Sequence, residues 1–386
     1  MVSTEWVDPA PTRLDDYSIL PTVGVEEEFV LIDPVTDAPF PGNAVVAAEG
    51  RALDVHLQLE LSQCQIETAT PVCTGTTQLR AELCRARGRA AAAATRVGAR
   101  LLAAGVPPVG PAPRAISDVP RYRHLAEHFG LLGQQVICGC HVHVGVCDRD
   151  LAVQVSNHLR PWLPALLALT ANSPIIGGVD TGYSSWRQVL WARWPSAGPP
   201  PVFESAAHYD AVVAELLAQQ AILDPAMIYW DVRLSAHLPT VEVRVADVPA
   251  TVEETVLLAT LIRGLVSTAL TDVRQGRSAA PVYGHRLRAG YWRAARDGMT
   301  GHAVDMRSGR LVPATEPIRH LLEHVRPALE RTGDYRDTQR AVRTVLTCGN
   351  GAIRQRRAFA AGTTHDLVDM LARSTIGGCT PPSELN

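Results

Sequence analysis

Apolar residues recur along this chain with two periods. The run from Ile19 to Asp33 alternates Val, Phe and Leu with acids and predicts a strand over Val23–Asp33, because side chains of a strand point to opposite faces in turn. Part of Leu57–Thr68 has the same character, and Gln135–Val146 is rich in β-branched residues. Ile228–Leu234 and Thr240–Ala246 predict two further strands joined by a polar turn around Ala236–Pro239. Helical spacing marks Thr76–Gly105, which Gly105 and Pro107-Pro108 should stop, and Asp150–Asn172, which Asn172-Ser173-Pro174 should end. It also marks Ala206–Leu223, Val252–Leu270 and several segments within Leu287–Arg373. Between them lie a Pro-rich connector, Val106–Pro120, a Gly/Ser loop, Gly177–Ser185, and a turn at Gly198–Val202. The pattern predicts an α+β fold, with antiparallel strands carrying polar side chains and helices on one side. Without repeats or a clear linker, we expect one domain over residues 17–376, flanked by tails at 1–16 and 377–386.

The polar positions within the strands sharpen this picture. Glu26/Glu28, His141/His143, Asp231/Arg233 and Glu242/Arg244 are each spaced i, i+2, so each pair shares one sheet face. Acids gathered on a buried face repel, and a divalent cation removes that cost; oxygen ligands suit Mg²⁺ or Mn²⁺. A solvated edge face would share the spacing. By parity Glu27 points away from Glu26 and Glu28 and should tolerate substitution better than either. Glu60 and Glu67 are an odd number of residues apart, so either a bulge intervenes or Glu60 lies on a loop before the strand; we favour the loop, with Glu67 on the site face beside Gln63 and Gln65. In Cys138-Gly139-Cys140-His141-Val142-His143, a strand would turn the cysteines and histidines to opposite faces, which argues against zinc. Arg187 and Arg193 follow the Gly/Ser loop and could hold a carboxylate or phosphate. Arg293 and Arg296 share a helix face with the same potential, or form a solvated basic face.

Composition removes several alternatives. With 386 residues, 46% of them hydrophobic, the chain can bury a large core, and a net charge of −3 offers no basic surface for nucleic acid. All 36 basic residues are arginine, which excludes a P-loop lysine, a Schiff-base lysine and a pyridoxal anchor. Leu163–Thr170 and Val256–Ala269 are too short or interrupted for a membrane span, and Met1–Asp16 lacks the basic and apolar regions of a signal peptide. We therefore expect a cytoplasmic protein whose eight cysteines are free thiols.

Taken in order, several segments resemble the glutamate–cysteine ligase type 2, or carboxylate–amine ligase, family. They are Gly24-Val25-Glu26-Glu27-Glu28-Phe29, Gln65-Ile66-Glu67-Thr68-Ala69-Thr70-Pro71-Val72, Gly139-Cys140-His141-Val142-His143-Val144-Gly145, Ala171-Asn172-Ser173-Pro174, Trp230-Asp231-Val232-Arg233 and Thr240-Val241-Glu242-Val243-Arg244. Trp292-Arg293-Ala294-Ala295-Arg296 resembles a later family helix, and the match spans roughly Leu20 to Thr375. The resemblance implies a glutamine-synthetase-like fold, a curved antiparallel sheet with a polar concave face and helices behind it. It implies ATP-dependent amide formation through an acyl phosphate, with Mg²⁺, or Mn²⁺ in its place, and L-glutamate and L-cysteine as default substrates. The alternatives are another acid–amine pair of secondary metabolism and a non-catalytic relative that binds a nucleotide or metabolite. Glu26, Glu28, Glu60, Glu67 and Glu242 look like metal carboxylates. Arg244, Arg187 and Arg233 look like phosphate or substrate contacts, and His141, His143, Arg193 and Arg293 are the candidate nucleotide contacts. Small-molecule partners are implied, with neither nucleic acid nor membrane, and a homodimer by analogy. The family helix often reads Leu-Arg-Glu-Asn before its Trp-Arg; here Leu287-Arg288-Ala289-Gly290 lacks both polar side chains.

Overall fold

Strand β1 (Val23–Ile32) is the axis of one antiparallel sheet. The computed structural model describes residues 21–111, 115–130 and 135–379, so the expected tail 1–16 and residues 380–386 of the other lie outside the described residues. After helix α1 (Asn43–Ala52), strands β2 (Leu57–Leu59) and β3 (Gln65–Ala69) form an antiparallel pair, and β3 lies against β1 with Glu67 opposite Glu28. The segment expected as one helix to Gly105 divides. Helix α2 (Thr76–Arg96) stops before Gly98, whose φ of +76° is a left-handed turn that glycine makes without strain. The chain then enters β4 (Arg100–Leu102), which pairs with the end of β1. The alanine periodicity runs straight through this break, but Leu101 to Ala104 are buried, so tertiary pairing overrides helix propensity there.

The Pro-rich connector leads into helix α3 (Pro120–Phe129), which opens on a proline whose missing N–H costs nothing in a first turn. Strand β5 (Gly139–Gly145) follows, pairing with β1 so that His141 lies opposite Glu26. The expected helix Asp150–Asn172 is two helices, α4 (Arg149–Leu159) and α5 (Leu163–Thr170), separated by a 3₁₀ turn at Arg160–Trp162. Pro161 and Pro164 each lack the donor that a continuous helix needs, which accounts for the restart. The Gly/Ser loop contains a short ladder, β6 (Ile175–Ile176) with β7 (Val179–Asp180), and delivers the chain to α6 (Trp186–Trp191).

Helix α7 (Ala206–Ala218) precedes β8 (Val232–Leu234) and β9 (Thr240–Asp247), which complete the sheet in the order β2-β3-β1-β5-β9-β8 with β4 beside β1. Helix α8 (Val252–Arg274) has the length and apolarity of a membrane span, yet most of it is buried within the protein, against β5, β1 and α2. Beyond it lie α9 (Gly284–Asp297), the hairpin β10 (His302–Val304) and β11 (Leu311–Pro313), and helices α10 (Glu316–Thr332), α11 (Tyr335–Cys348), α12 (Gly351–Ala361) and α13 (Thr364–Thr375). One β1 face carries Val23, Val25, Glu27 and Phe29 against the helices; the other carries Glu26 and Glu28, both part-exposed. All eight cysteines are free thiols.

Candidate active site

Strand pairing brings the acids together. Glu26 faces His141, Glu28 faces Glu67, and Glu242 faces His143 across neighbouring strands, where Cβ atoms stand about 5 Å apart. Two sets of ligand atoms converge, each within 4.8 Å: Glu26, His141 and Glu242 in one, Glu28, Glu67 and His141 in the other. His141 sits between them, its Nδ1 3.2 Å from Glu26 Oε2 and its Nε2 3.7 Å from Glu28 Oε1. His143 Nδ1 meets Thr240 Oγ1 at 3.0 Å, while its Nε2 lies 3.4 Å from Glu26 Oε1.

The charges are far from balanced. Burial raises the Glu67 carboxyl well above the usual range, and Glu26, Glu60 and Glu28 add to the rise. Glu60, on the loop after β2, is pushed up to about 8 by burial and by Glu28. It lies beside the two sets and belongs to neither. Burial also opposes ionisation of Glu26, but hydrogen bonds to His141 and His143 override it and hold its carboxyl low. Glu242 is likewise held well below the usual range, because Arg233 and Arg244 outweigh its burial. His141 is lowered by burial and by Arg244. Glu67 and Glu60, raised by burial and by neighbouring acids, with His141 Nε2 lacking a hydrogen-bond partner, fit hard divalent cations such as Mg²⁺ or Mn²⁺. Neither set includes a cysteine; Cys138 lies beside Gln65, whose Nε2 is 3.5 Å from its sulfur, rather than behind the strand as expected.

Three arginines behave differently from one another. Arg233 forks onto Glu242 at 2.7 and 3.1 Å and donates to the carbonyls of Ala226 and Ile228, so it holds Glu242 in place and has little left for a substrate. Arg244 is bonded to Glu242 and reaches 3.4 Å from His141 Nδ1. Arg187, on α6, is buried with its Nε and Nη1 unpartnered. Its position has a visible cause. Asp247 accepts from Asn172 N, Ser173 Oγ and Ser185 Oγ at 2.7–2.8 Å, and Ser185 caps α6, so the Asn172-Ser173-Pro174 segment pins the helix that carries Arg187. The sequence reading missed Asp247; its signal was a further acid closing the strand that carries Glu242 and Arg244.

Gly139 leaves space for that arginine: a Cβ there would stand 2.4 Å from Arg187 Nη2. Gly139→Ala is expected to displace the guanidinium and lower kcat/KM by about tenfold to a hundredfold, as a shift of about 1 Å can. The melting temperature should change little, since the flexible end of a side chain gives way. Steady-state kinetics beside a thermal melt checks this.

Two expected nucleotide contacts are not brought to the acids. Arg193 lies beyond the end of α6 and is exposed. Arg293 pairs along α9 with Asp297 at 2.7 Å and stacks over Trp292. Their spacing from the loop and along the helix was compatible with a site, but Arg193 is exposed and Arg293 is engaged by Asp297. Of the unusual pair Ala289-Gly290, Gly290 has a packing reason, since a Cβ there would stand 2.5 Å from Met306 Cε; Ala289 is exposed, and nothing in the structure explains it. Glu27 reverses an expectation as well. It is fully buried and forked by Arg87 at 2.6 and 2.9 Å, so its face of the sheet is the less tolerant one.

The family model described as Glutamate-cysteine ligase family 2 (GCS2) matches residues 22–370. A Mycolicibacterium vanbaalenii protein with the provisional name glutamate–cysteine ligase 2-2 is 54% identical over 356 residues, 92% of this chain and 97% of its own. A Mycolicibacterium smegmatis protein, provisionally glutamate–cysteine ligase 2-3, is 53% identical over 92% of this chain and 98% of its own. Among solved structures, a Francisella tularensis glutamate–cysteine ligase in complex with AMP shares the fold at a TM-score of 0.69 and 12% identity, over 92% of this chain and 88% of its own. A bifunctional glutathione synthetase from Pasteurella multocida matches with a TM-score of 0.69 and 17% identity, over 94% of this chain and 53% of its own.

Proposed function

We propose, given that this chain belongs to the glutamate–cysteine ligase family 2 and is therefore an ATP-dependent C–N ligase, that it joins the γ-carboxylate of L-glutamate to the amine of L-cysteine. Residues 17–376 would act as one catalytic domain. The observation that carries the chemistry is the pair of carboxylate sets sharing His141, with Arg244 and Arg187 beside them. Glu26, Glu28, Glu67 and Glu242 with His141, and Glu60 nearby, would hold Mg²⁺ or Mn²⁺, which supplies charge neutralisation for the ATP phosphates. The AMP complex of the F. tularensis relative supports the nucleotide in this reading.

The protein's own groups then have distinct parts. Arg244, braced by Glu242, spreads positive charge over the phosphoryl oxygens, and Arg187, whose Nη1 lies 4.0 Å from Asp247, offers its Nε to an anion. Arg233 keeps Glu242 oriented. A carboxylate oxygen of the acid attacks the γ-phosphorus as the bond to ADP breaks, forming an acyl phosphate. The amine nitrogen attacks the acyl carbon, the bond to phosphate breaks, and the proton lost from nitrogen goes to phosphate or solvent. Positioning and charge suffice, and no side-chain nucleophile is required. Burial raises the thiols of Cys138 and Cys140 well above their usual range, which keeps them protonated and inert.

The test is ADP release by the purified protein with ATP, Mg²⁺, L-glutamate and L-cysteine, with mass spectrometry of the product. We expect release that needs both amino acids, together with γ-glutamylcysteine. Release with a different acid–amine pair alone would overturn the substrates.

A further inference from the structure

Away from the acid cluster, two cysteines from distant parts of the chain meet beside the core. Cys84 lies on α2, and Cys379 lies four residues beyond the end of α13. Both are part-buried against the same apolar cluster. The Cys84 thiol donates to the Gly378 carbonyl at 3.8 Å, and that carbonyl carbon is bonded to the Cys379 nitrogen. Covalent geometry then leaves the Cys379 Cα no more than about 7 Å from the Cys84 sulfur. The two thiols also hydrogen-bond to each other. This approach is built into the fold. Arg87, one turn along α2 from Cys84, donates to the Thr375 carbonyl at 3.0 Å, and Thr375 Oγ1 accepts from Ala103 N at 2.8 Å. These bonds dock the end of α13 on α2 and on the chain just after β4, with residues 84 and 379 side by side. Gly377 and Gly378 precede Cys379. Gly378 has a φ of +80°, which glycine adopts freely, and a Cβ there would meet nothing within 4 Å, so the segment has room to adjust.

We propose that Cys84 and Cys379 are a modification site, which a small-molecule disulfide converts to a reversible intramolecular disulfide that staples the end of α13 to α2. The proposal rests on neither the metal site nor the substrates. Burial and the Cys84 thiol push the Cys379 thiol up to about 12, which keeps it protonated and leaves the first attack to its neighbour. The Cys84 thiolate attacks one sulfur of the small disulfide, that S–S bond breaks, and one thiolate leaves and takes up a proton. In the mixed disulfide Cys84 no longer holds the Cys379 proton in place, and the nearby Arg87 guanidinium favours the Cys379 thiolate. Cys379 then loses its proton to solvent and attacks the Cys84 sulfur, and the second small thiolate leaves. Two protein thiols are oxidised by two electrons, and one small disulfide is reduced to two thiols.

The experiment incubates the full chain with oxidised glutathione, blocks the remaining thiols by alkylation, and maps peptides by mass spectrometry. A peptide pair joining residues 84 and 379, lighter by two hydrogen atoms, is expected. Cys147 and Cys348 are exposed and should carry glutathione instead. Dithiothreitol should reverse both changes. The linked protein should melt about 3–5 °C above the reduced one, because the link closes most of the chain into one loop and restricts the unfolded state. Cys379→Ser should abolish that gain and leave a glutathione adduct on Cys84.

Glutathione on Cys147 and Cys348 of the folded wild-type protein, with no link between residues 84 and 379, would overturn the proposal. So would a link that forms only in urea, or a melting gain that survives Cys379→Ser. The wild-type peptide map decides the matter even if the variant fails to fold.

Discussion

Replacing Glu67 by Gln should lower amine-dependent ADP release by about a thousandfold, equivalent to about 4 kcal/mol of barrier, a reasonable share of the several kcal/mol a bound cation supplies. Glu67 is buried, 7% exposed, and its partners in the second ligand set are Glu28 and His141. Glutamine keeps the volume and loses the charge. The same substitution should not harm the fold. A carboxyl whose folded pKa lies above its unfolded value costs stability once the pH passes the unfolded value, and Glu67 is raised by burial and by three neighbouring acids. At pH 8 without metal the Gln variant should therefore melt at or above the wild-type temperature. With Mg²⁺ added, the wild type should gain more than the variant, as binding to the folded state requires. Full turnover by a folded variant would remove Glu67 from the metal site. A variant already unstable before metal is added would make Glu67 a structural residue instead.

The residues gathered around His141 were legible because a strand has a period of two. Glu26, Glu28, Glu242 and Arg244 needed only that parity and a paired neighbour to converge, and β1, β5 and β9 supply the pairing. Glu60 was placed correctly on a loop by its odd spacing from Glu67. Helical residues were harder to place, because a helix face says nothing of what lies opposite. Arg187 and Arg193 looked equivalent in sequence, but α6 ends between them, and one is buried while the other faces water. Arg293 satisfies itself along its own helix with Asp297. Helix breaks at Gly98 and at Pro161 were written in the chain but masked by unbroken apolar spacing. What no local pattern contains is the long-range pairing that fixes α6, in which Asp247 ties down residues 172, 173 and 185.

Glu27 shows the same limit at its largest expected cost. Parity separated it from Glu26 and Glu28 but could not reveal that Arg87, sixty positions along, would be buried against it. Both side chains have no exposure. Arg87 also donates to the carbonyls of Pro249 and Thr375, and Thr255 donates to Glu27, so the pair ties β1 to α2, α8 and the end of α13. Glu27→Gln leaves the arginine charge in the core with its partner neutralised. The expected loss is about 3–5 kcal/mol, the range for breaking a buried ion pair from one side. Arg87→Met should cost a similar amount, by stranding the carboxylate. The double variant should be clearly more stable than the sum of the two losses predicts, because no uncompensated charge remains. Urea unfolding of the four proteins measures this cycle. Losses below about 1 kcal/mol in both single variants, the level of an exposed pair, would contradict the burial on which the expectation rests. Because Glu26 and Glu28 flank Glu27 on the same strand, we expect whatever single-variant protein stays folded in the cold to bind Mg²⁺ more weakly, with its metal-facing side chains unaltered.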